Sequence, residues 1–269
     1  MNFAGAVAVV TGAGGGIGSA LGERFHDAGA TVVVSDRAGT NVEALAAKLA
    51  AKRPGSAFAI GADVSREDEN ERLVRESRRL AGRIDLFFAN AGVAMGTDLS
   101  ATETEWNTSF DVNVHSHRWA AKYLMPEWLA AGKGYFASTA SAAGVLAQIG
   151  SAPYSVTKHA AVAFAEWLSI TYGSRGISVS CLCPQGVNTA MLRGADGQSN
   201  APNESNVVRA VGAVLEPADV ANFVHDALVE ERFFILPHPE VAEYMKIKAT
   251  EHSRWLGGMR KLQRRVLGI

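Results

Sequence analysis

The chain has 269 residues, of which 48% are hydrophobic and 20% charged, and its formal net charge is −1. That length and composition suit one globular α/β domain, spanning 1–269, with a sizeable core. A charge this close to zero gives no bulk attraction for nucleic acid or an anionic membrane. No apolar run approaches the roughly 18 residues of a membrane span, and no basic leader precedes the first one. Both features fit a cytoplasmic protein.

Ala6–Val10 is a short apolar run. The glycine turn Thr11-Gly12-Ala13-Gly14-Gly15-Gly16-Ile17-Gly18 follows, then a helical pattern through Leu21 and Phe25 to Gly29. Thr31–Val34 is β-branched and ends at Asp36, completing strand, turn, helix and strand. Thr40, with Glu43 in capping-box spacing, predicts the start of the next helix. Phe58–Ile60 is a third strand ending at Asp63, and Ser65 with Asp68 predicts a charged helix to about Ala81. Ile84–Ala89 is a fourth strand running into Asn90-Ala91-Gly92. A long helix is expected from about Glu103 to Leu129, broken near Asn113. Tyr135–Ser138 and Ile177–Leu182 are strands on either side of a helix that carries Tyr154 and runs to about Tyr172.

Residues 190–212 lack periodicity and contain glycine, proline, asparagine and serine, which predicts a substrate loop with one short helix. Pro217 opens a helix to about Val229, Phe233–Leu236 is a seventh strand, and 239–266 are largely helical. Alternating strands and helices predict a Rossmann-type, doubly wound, mostly parallel sheet of seven strands with helices on both faces and a C-terminal helical tail. Cys181 and Cys183 read as small core residues of a reduced compartment. The histidines show no metal-ligand spacing, so no metal is expected. Arg260, Lys261, Arg264 and Arg265 read as a solvated helix face or a subunit contact.

Two features carry chemistry. A glycine turn inside a βαβ unit lets the backbone approach a pyrophosphate and aims a helix N-terminus at it. Asp36, closing the second strand, can accept both ribose hydroxyls of adenosine and repels a 2′-phosphate, which favours NAD over NADP. Arg37 beside it could serve a phosphate, which keeps NADP as the alternative. Tyr154 and Lys158, four residues apart on a helix, share one face. A nearby ammonium favours the phenolate, so Tyr154 is expected to have a lowered pKa and to act as an acid-base.

Taken together and in this order, Thr11–Gly18, Asp36, Asp63-Val64, Asn90-Ala91-Gly92, Asn113, Ser141, Tyr154 with Lys158, and Pro184 to Thr189 resemble the short-chain dehydrogenase/reductase family over nearly the whole chain. The resemblance implies a Ser-Tyr-Lys site. Ser141 would hold the substrate oxygen, Tyr154 would move the proton, and Lys158 would bind the nicotinamide ribose. The backbone at Asn113 would hold a water leading to the lysine. The resemblance also implies that Thr11, Gly12, Gly16, Ile17, Gly18, Asp36, Arg37, Asp63, Val64, Asn90, Ala91, Gly92, Pro184, Gly186, Val187 and Thr189 surround the cofactor. Ser138, also near the end of the fifth strand, has the wrong spacing to Tyr154. Gln185 departs from the family's Pro-Gly.

The activity so implied is NAD-dependent interconversion of a secondary alcohol and a ketone. The substrate, bounded by Met95, Ala143, Gln148, Gln185 and Met191 besides Ser141 and Tyr154, is expected to be neutral and hydrophobic. The alternatives are an NADP-dependent ketone reductase and a non-catalytic NAD-sensing binding protein; loss of the serine, tyrosine or lysine would have favoured the last. A homotetramer or homodimer is expected from the family.

Overall fold

The strand sequences are mostly apolar on both faces, as a sheet covered by helices on each side requires. In the computed structural model, which describes residues 1–37, 40–194 and 212–268, seven strands form one sheet in the order β3-β2-β1-β4-β5-β6-β7. They are β1 (Val7–Thr11), β2 (Thr31–Asp36), β3 (Ala57–Gly61), β4 (Leu86–Ala89), β5 (Gly134–Thr139), β6 (Ile177–Leu182) and β7 (Phe234–Ile235). Every pairing is parallel. The chain moves outward from β1 to β3 and returns to β4 on the other side of β1. The crevice between the carboxyl ends of β1 and β4 is therefore the topological switch point, where ligands bind in such sheets.

Side chains alternate along each strand, so the sheet sorts its residues into two cores. Ala8, Val10, Val32 and Val34 meet Leu21 and Phe25 of α1 (Gly16–Asp27), Leu45 and Leu49 of α2 (Val42–Lys52), and Val220 and Val224 of α8 (Pro217–Val229). Val9, Val33, Phe87 and Phe136 face the opposite way. They meet Leu73 of α3 (Glu67–Ala81), Leu124 and Trp128 of α5 (Ser116–Ala131), and Ala165 and Leu168 of α6 (Ala152–Tyr172). Trp128 is fully buried, and its indole N–H donates to Ile84 O at 2.7 Å.

Two expected caps are replaced. Thr40 does not cap α2: its hydroxyl donates to Arg37 O, and the N-cap position falls on Asn41, whose side chain makes no cap bond. Ser65 does not cap α3, because its hydroxyl and amide both go to Asp63 Oδ1 and the helix begins after Arg66. A capping box does form at Thr102 and Glu105, opening α4 (Glu103–Phe110). The expected break near Asn113 is a π-helical turn, Asp111–His115, joining α4 to α5 without leaving the helical path. Of the segment 190–212, α7 (Ala190–Arg193) and Gly212 are described, and 195–211 lie outside the described residues. The tail forms α9 (Glu240–Thr250) and α10 (His252–Leu267).

One close approach sets the entry to α1. A Cβ on Gly18 would stand 2.1 Å from Gly12 O, whereas one on Gly15 would meet nothing within 4 Å. Gly18→Ala is therefore expected to lower stability by about 1–3 kcal/mol in urea denaturation, as other overpacked sites do. Gly15→Ala is expected to leave the midpoint in place.

Candidate active site

The carboxyl ends of the strands open into one cleft of about 2040 Å³. Small-ligand sites usually enclose roughly 300–1,000 Å³, so this cleft has room for a dinucleotide and a second molecule. At one end lies the glycine turn. Gly12 has a left-handed φ of 66°, and a Cβ there would come within 2.7 Å of Ala91 Cα. Helix α1 starts after Gly15 with no side-chain cap and no acid in its first turn. Its free N–H groups and the positive end of its dipole therefore face the cleft. This cradle of bare backbone and unopposed donors fits a pyrophosphate.

Asp36 lines the cleft at the end of β2, with its carboxylate held by the N–H groups of Gly14 (2.8 Å) and Arg37 (2.7 Å). Asp63, Val64, Asn90, Ala91 and Gly92 follow along the same wall. Asn90 ties the wall together. Its amide nitrogen donates to Thr11 O at 3.0 Å and Gly12 O at 3.3 Å, and its Oδ1 accepts from the Thr139 hydroxyl at 2.9 Å.

The other end holds Ser141, Tyr154 and Lys158. Ser141 sits just past β5 at the start of a short 3₁₀ turn, where its hydroxyl accepts from Ala143 N. Ser138 is fully buried, while Ser141 lines the cleft, as the spacing to Tyr154 suggests. Tyr154 and Lys158 project from the first two turns of α6, with Lys158 Nζ 5.6 Å from the centre of the Tyr154 ring. Lys158 is 2% exposed and donates to Thr139 O at 3.0 Å.

Burial holds the Lys158 ammonium down to about 8. In the protein alone burial also pushes the Tyr154 phenol up, against an opposing hydrogen bond with Ser141. This corrects the expected lowering of the Tyr154 pKa by Lys158. Lys158 aims its charge at a backbone carbonyl, and both groups lose water on entering the same wall.

Four expected site residues stand behind the cleft rather than in its lining: Thr11, Gly18, Asn113 and Gly186. Thr11 Oγ1 accepts from Asn90 N and Ala91 N. Gly18 packs on Gly12, and Gly186 O accepts from Leu215 N. Asn113 is fully buried, and its amide binds Val93 N, Val93 O and the Thr157 hydroxyl, at 2.9–3.1 Å. Its side chain thus anchors the π-turn to the segment after β4 and to α6. The remaining candidates line the cleft: Gly16, Ile17, Arg37, Pro184, Val187 and Thr189, expected at a cofactor, and Met95, Ala143, Gln148, Gln185 and Met191, expected at a substrate. Gln185 is positioned by its backbone N–H donating to His238 Nδ1.

The sequence offers the tail with Trp255, Leu256, Met259 and Leu262 as a cover for the pocket or a contact with a neighbouring subunit, and misses Tyr244, Ile247 and the basic side chains that join it at the cleft. Tyr244, Ile247, Trp255, Leu256, Met259 and Leu262 line the cleft, together with Arg260, Lys261 and Arg265. The helical spacing of Trp255, Met259 and Leu262 was the available signal, but it cannot say what an amphipathic face covers.

The model of the family described as short chain dehydrogenase matches residues 6–200. The chain belongs to the short-chain dehydrogenase/reductase family. It is thus an oxidoreductase built on the nucleotide-binding Rossmann fold. It is 33% identical over 222 residues to meso-2,3-butanediol dehydrogenase of Serratia marcescens, covering 82% of this chain and 86% of that protein. It is 35% identical over 237 residues to 1-deoxy-11-beta-hydroxypentalenate dehydrogenase of Streptomyces exfoliatus, covering 87% and 83%. A solved family member from Burkholderia phymatum, in complex with NAD, superposes with a TM-score of 0.84 at 27% identity, covering 94% of this chain and 96% of that one. No helix among the described residues is long and apolar enough to cross a membrane, and no group of three His, Cys, Asp or Glu side chains among them could hold a metal.

His117, on the buried side of α5, has neither ring nitrogen hydrogen-bonded, and burial together with the Lys158 charge lowers its pKa from 6.5 to about 3. The unfolded chain therefore binds more protons than the folded one between pH 6.5 and about 3. This histidine's contribution is favourable above that window and is lost as pH falls through it. His117→Leu is expected to lose less stability than the parent as pH drops from 6.5, read from urea midpoints at stepped pH; identical slopes would refute the assignment.

Proposed function

We propose that this protein catalyses the NAD-dependent interconversion of a secondary alcohol and a ketone. The observation that carries this reading is the convergence of Ser141, Tyr154 and Lys158, from β5's end and α6, on a cleft whose other end is the glycine turn. The cofactor would lie with its pyrophosphate on the turn and the α1 N-terminus. Its adenosine ribose would meet Asp36, its adenine Asp63 and Val64, and its nicotinamide ribose Lys158, with Pro184, Val187 and Thr189 by the nicotinamide. Bound there, it supplies or accepts the hydride.

The chain's residues handle the proton and the geometry. Ser141 donates a hydrogen bond to the substrate oxygen and fixes the carbon beside the nicotinamide. Tyr154 Oη takes the hydroxyl proton in oxidation and returns it in reduction. The raised phenol pKa in the protein alone suits the acid role. The positive charge that an oxidised nicotinamide would bring, added to the Lys158 ammonium on the same helix, would favour the phenolate needed for oxidation. Asn113 acts through position: it holds the π-turn that shapes the wall behind Lys158.

Around the reacting carbon the walls are mainly apolar, with Met95, Ala143, Leu146 and Met191 and the amides of Gln148 and Gln185. A neutral, hydrophobic reacting centre suits them. The names of the two relatives, a diol dehydrogenase and a hydroxy-carboxylate dehydrogenase, agree with alcohol oxidation. Arg37, which also lines the cleft, favours the runner-up, an NADP-dependent ketone reductase. The exposed aromatic and aliphatic face of α6, with Trp167 51% and Ile170 83% exposed, suits a homotetramer or homodimer contact; a light-scattering mass of one chain would refute it.

Reduced-nicotinamide absorbance on a panel of secondary alcohols tests the main reading. Tyr154→Phe is expected to lower turnover by about 10²–10⁴-fold with NAD affinity unchanged, and a variant that still turns over at the parent rate would sink the role. Asp36→Asn is expected to weaken NAD binding by roughly tenfold to a hundredfold and to narrow the gap to NADP, because a charged acceptor of two hydroxyls is lost. Calorimetric titration with both dinucleotides checks this.

A further inference from the structure

We propose that the substrate is amphipathic: apolar at the carbon that reacts, and anionic at its far end, where Arg260, Lys261 and Arg265 of α10 hold it. The proposal rests on the alcohol–ketone reading of Ser141 and Tyr154 and extends it to the substrate's other end.

Helix α10 begins beside the reacting centre. Trp255 packs on Ala142, Leu146 and Val241, next to Ser141. Lys248, near the end of α9, donates to Val145 O at 2.8 Å and Leu146 O at 2.9 Å, and its ammonium lies 5.2 Å from the centre of the Trp255 ring. The two tail helices are thus fastened to the loop that follows Ser141.

From that anchor α10 runs along the cleft. Trp255, Met259 and Leu262, spaced at helical intervals, are half-buried and line the cavity, and no residue of α10 is fully buried. Among the described residues its apolar stripe therefore covers open volume, not a packed core. Arg260 on one flank of that stripe, and Lys261 and Arg265, one turn apart, on the other, border the same cavity. Arg254 is tied to Glu251 at 2.8 Å, but none of these three side chains has an ion-pair or hydrogen-bond partner among the described residues. Helix α10 contains no acid at all.

Long cationic side chains lay their stems along apolar surface and keep their charge at its edge, which matches a ligand with an apolar body and an anionic end. At 1.5 Å rise per residue, Arg260 and Arg265 stand about 8 and 15 Å beyond Trp255 along the helix axis. A medium-chain or fused-ring carboxylate spans that distance. The membrane-surface reading of a basic amphipathic helix needs the apolar stripe to face outward; here it faces the cleft. The 2′-phosphate of NADP offers the same anionic chemistry, and the test separates the two sources.

The NAD-saturated protein is titrated calorimetrically with dodecanoate and with methyl dodecanoate. Dodecanoate is expected to bind about tenfold more tightly, the scale of three exposed ionic contacts. That preference is expected to vanish in the triple variant R260Q/K261Q/R265Q and to shrink at about 0.5 M NaCl. These side chains are exposed, so an unchanged melting temperature is expected and verifies the variant's fold. NADP affinity is expected to be equal in parent and variant.

Equal binding of acid and ester, absence of dodecanoate binding, or a preference that survives the triple substitution would each overturn the proposal. So would a variant that loses NADP affinity in place of the carboxylate preference, or one whose main loss is co-sedimentation with phosphatidylglycerol vesicles. Binding is read independently of turnover. A carboxylate preference without any alcohol oxidation would leave the anion site standing and remove the catalytic reading.

Discussion

The side chain of Asn90 joins three strand ends that would otherwise leave polar backbone unpaired at the bottom of the cleft. Its amide nitrogen reaches the carbonyls of Thr11 and Gly12 at the end of β1, and its oxygen takes the Thr139 hydroxyl at the end of β5. Thr139 in turn offers its carbonyl to Lys158. One line of hydrogen bonds therefore runs from the glycine turn to the lysine of α6. Because buried polar groups are costly to leave unsatisfied, breaking one link strands the next. The glycine-turn end and the Tyr154–Lys158 end of the cleft are mechanically a single object.

The same economy explains the π-turn. In this turn the Asn113 amide meets both the N–H and the C=O of Val93 while it also binds Thr157. The extra residue per turn is tolerated because each of these groups is then paired. The consequence is felt at Lys158, whose terminal nitrogen would lie 3.2 Å from a Cβ on Gly92, with Asn113 Oδ1 at 3.3 Å from the same point. A side chain at position 92 would crowd both groups, and the buried lysine, losing water against backbone, has its pKa held down to about 8. A lysine so placed can answer a change of charge in the cleft.

The elements read correctly from sequence were those with strong local signals: β-branched runs for the strands, the glycine turn, and Pro217 at the start of α8. The caps misread at Thr40 and Ser65 failed because nearby groups earlier in the chain, three and two residues back, claimed the hydroxyls. Arg37 O took one and Asp63 took the other. Cap spacing describes which local bond is possible, and a neighbouring strand end can outbid it. Thr102 and Glu105, far from any strand end, kept theirs. In the site, residue type and order single out Ser141, Tyr154, Lys158 and Asp36, and the fold brings all four to the lining of one cleft. Thr11, Gly18, Asn113 and Gly186 belong to the same pattern yet stand one layer back, where they hold the lining residues.

By itself the sequence determined the doubly wound architecture, the turn that can cradle a pyrophosphate and the chemical groups available for proton transfer, because each is written in short-range periodicity or in side-chain chemistry. Only the tertiary structure decided which groups face the cleft, which way Lys158 directs its charge, and that α10 lays an apolar stripe edged with cations along the cavity. Those outcomes depend on contacts between segments far apart in the chain, such as Lys248 with Val145 and Leu146. A helix's sequence specifies that it has two faces, and packing alone specifies what each face meets.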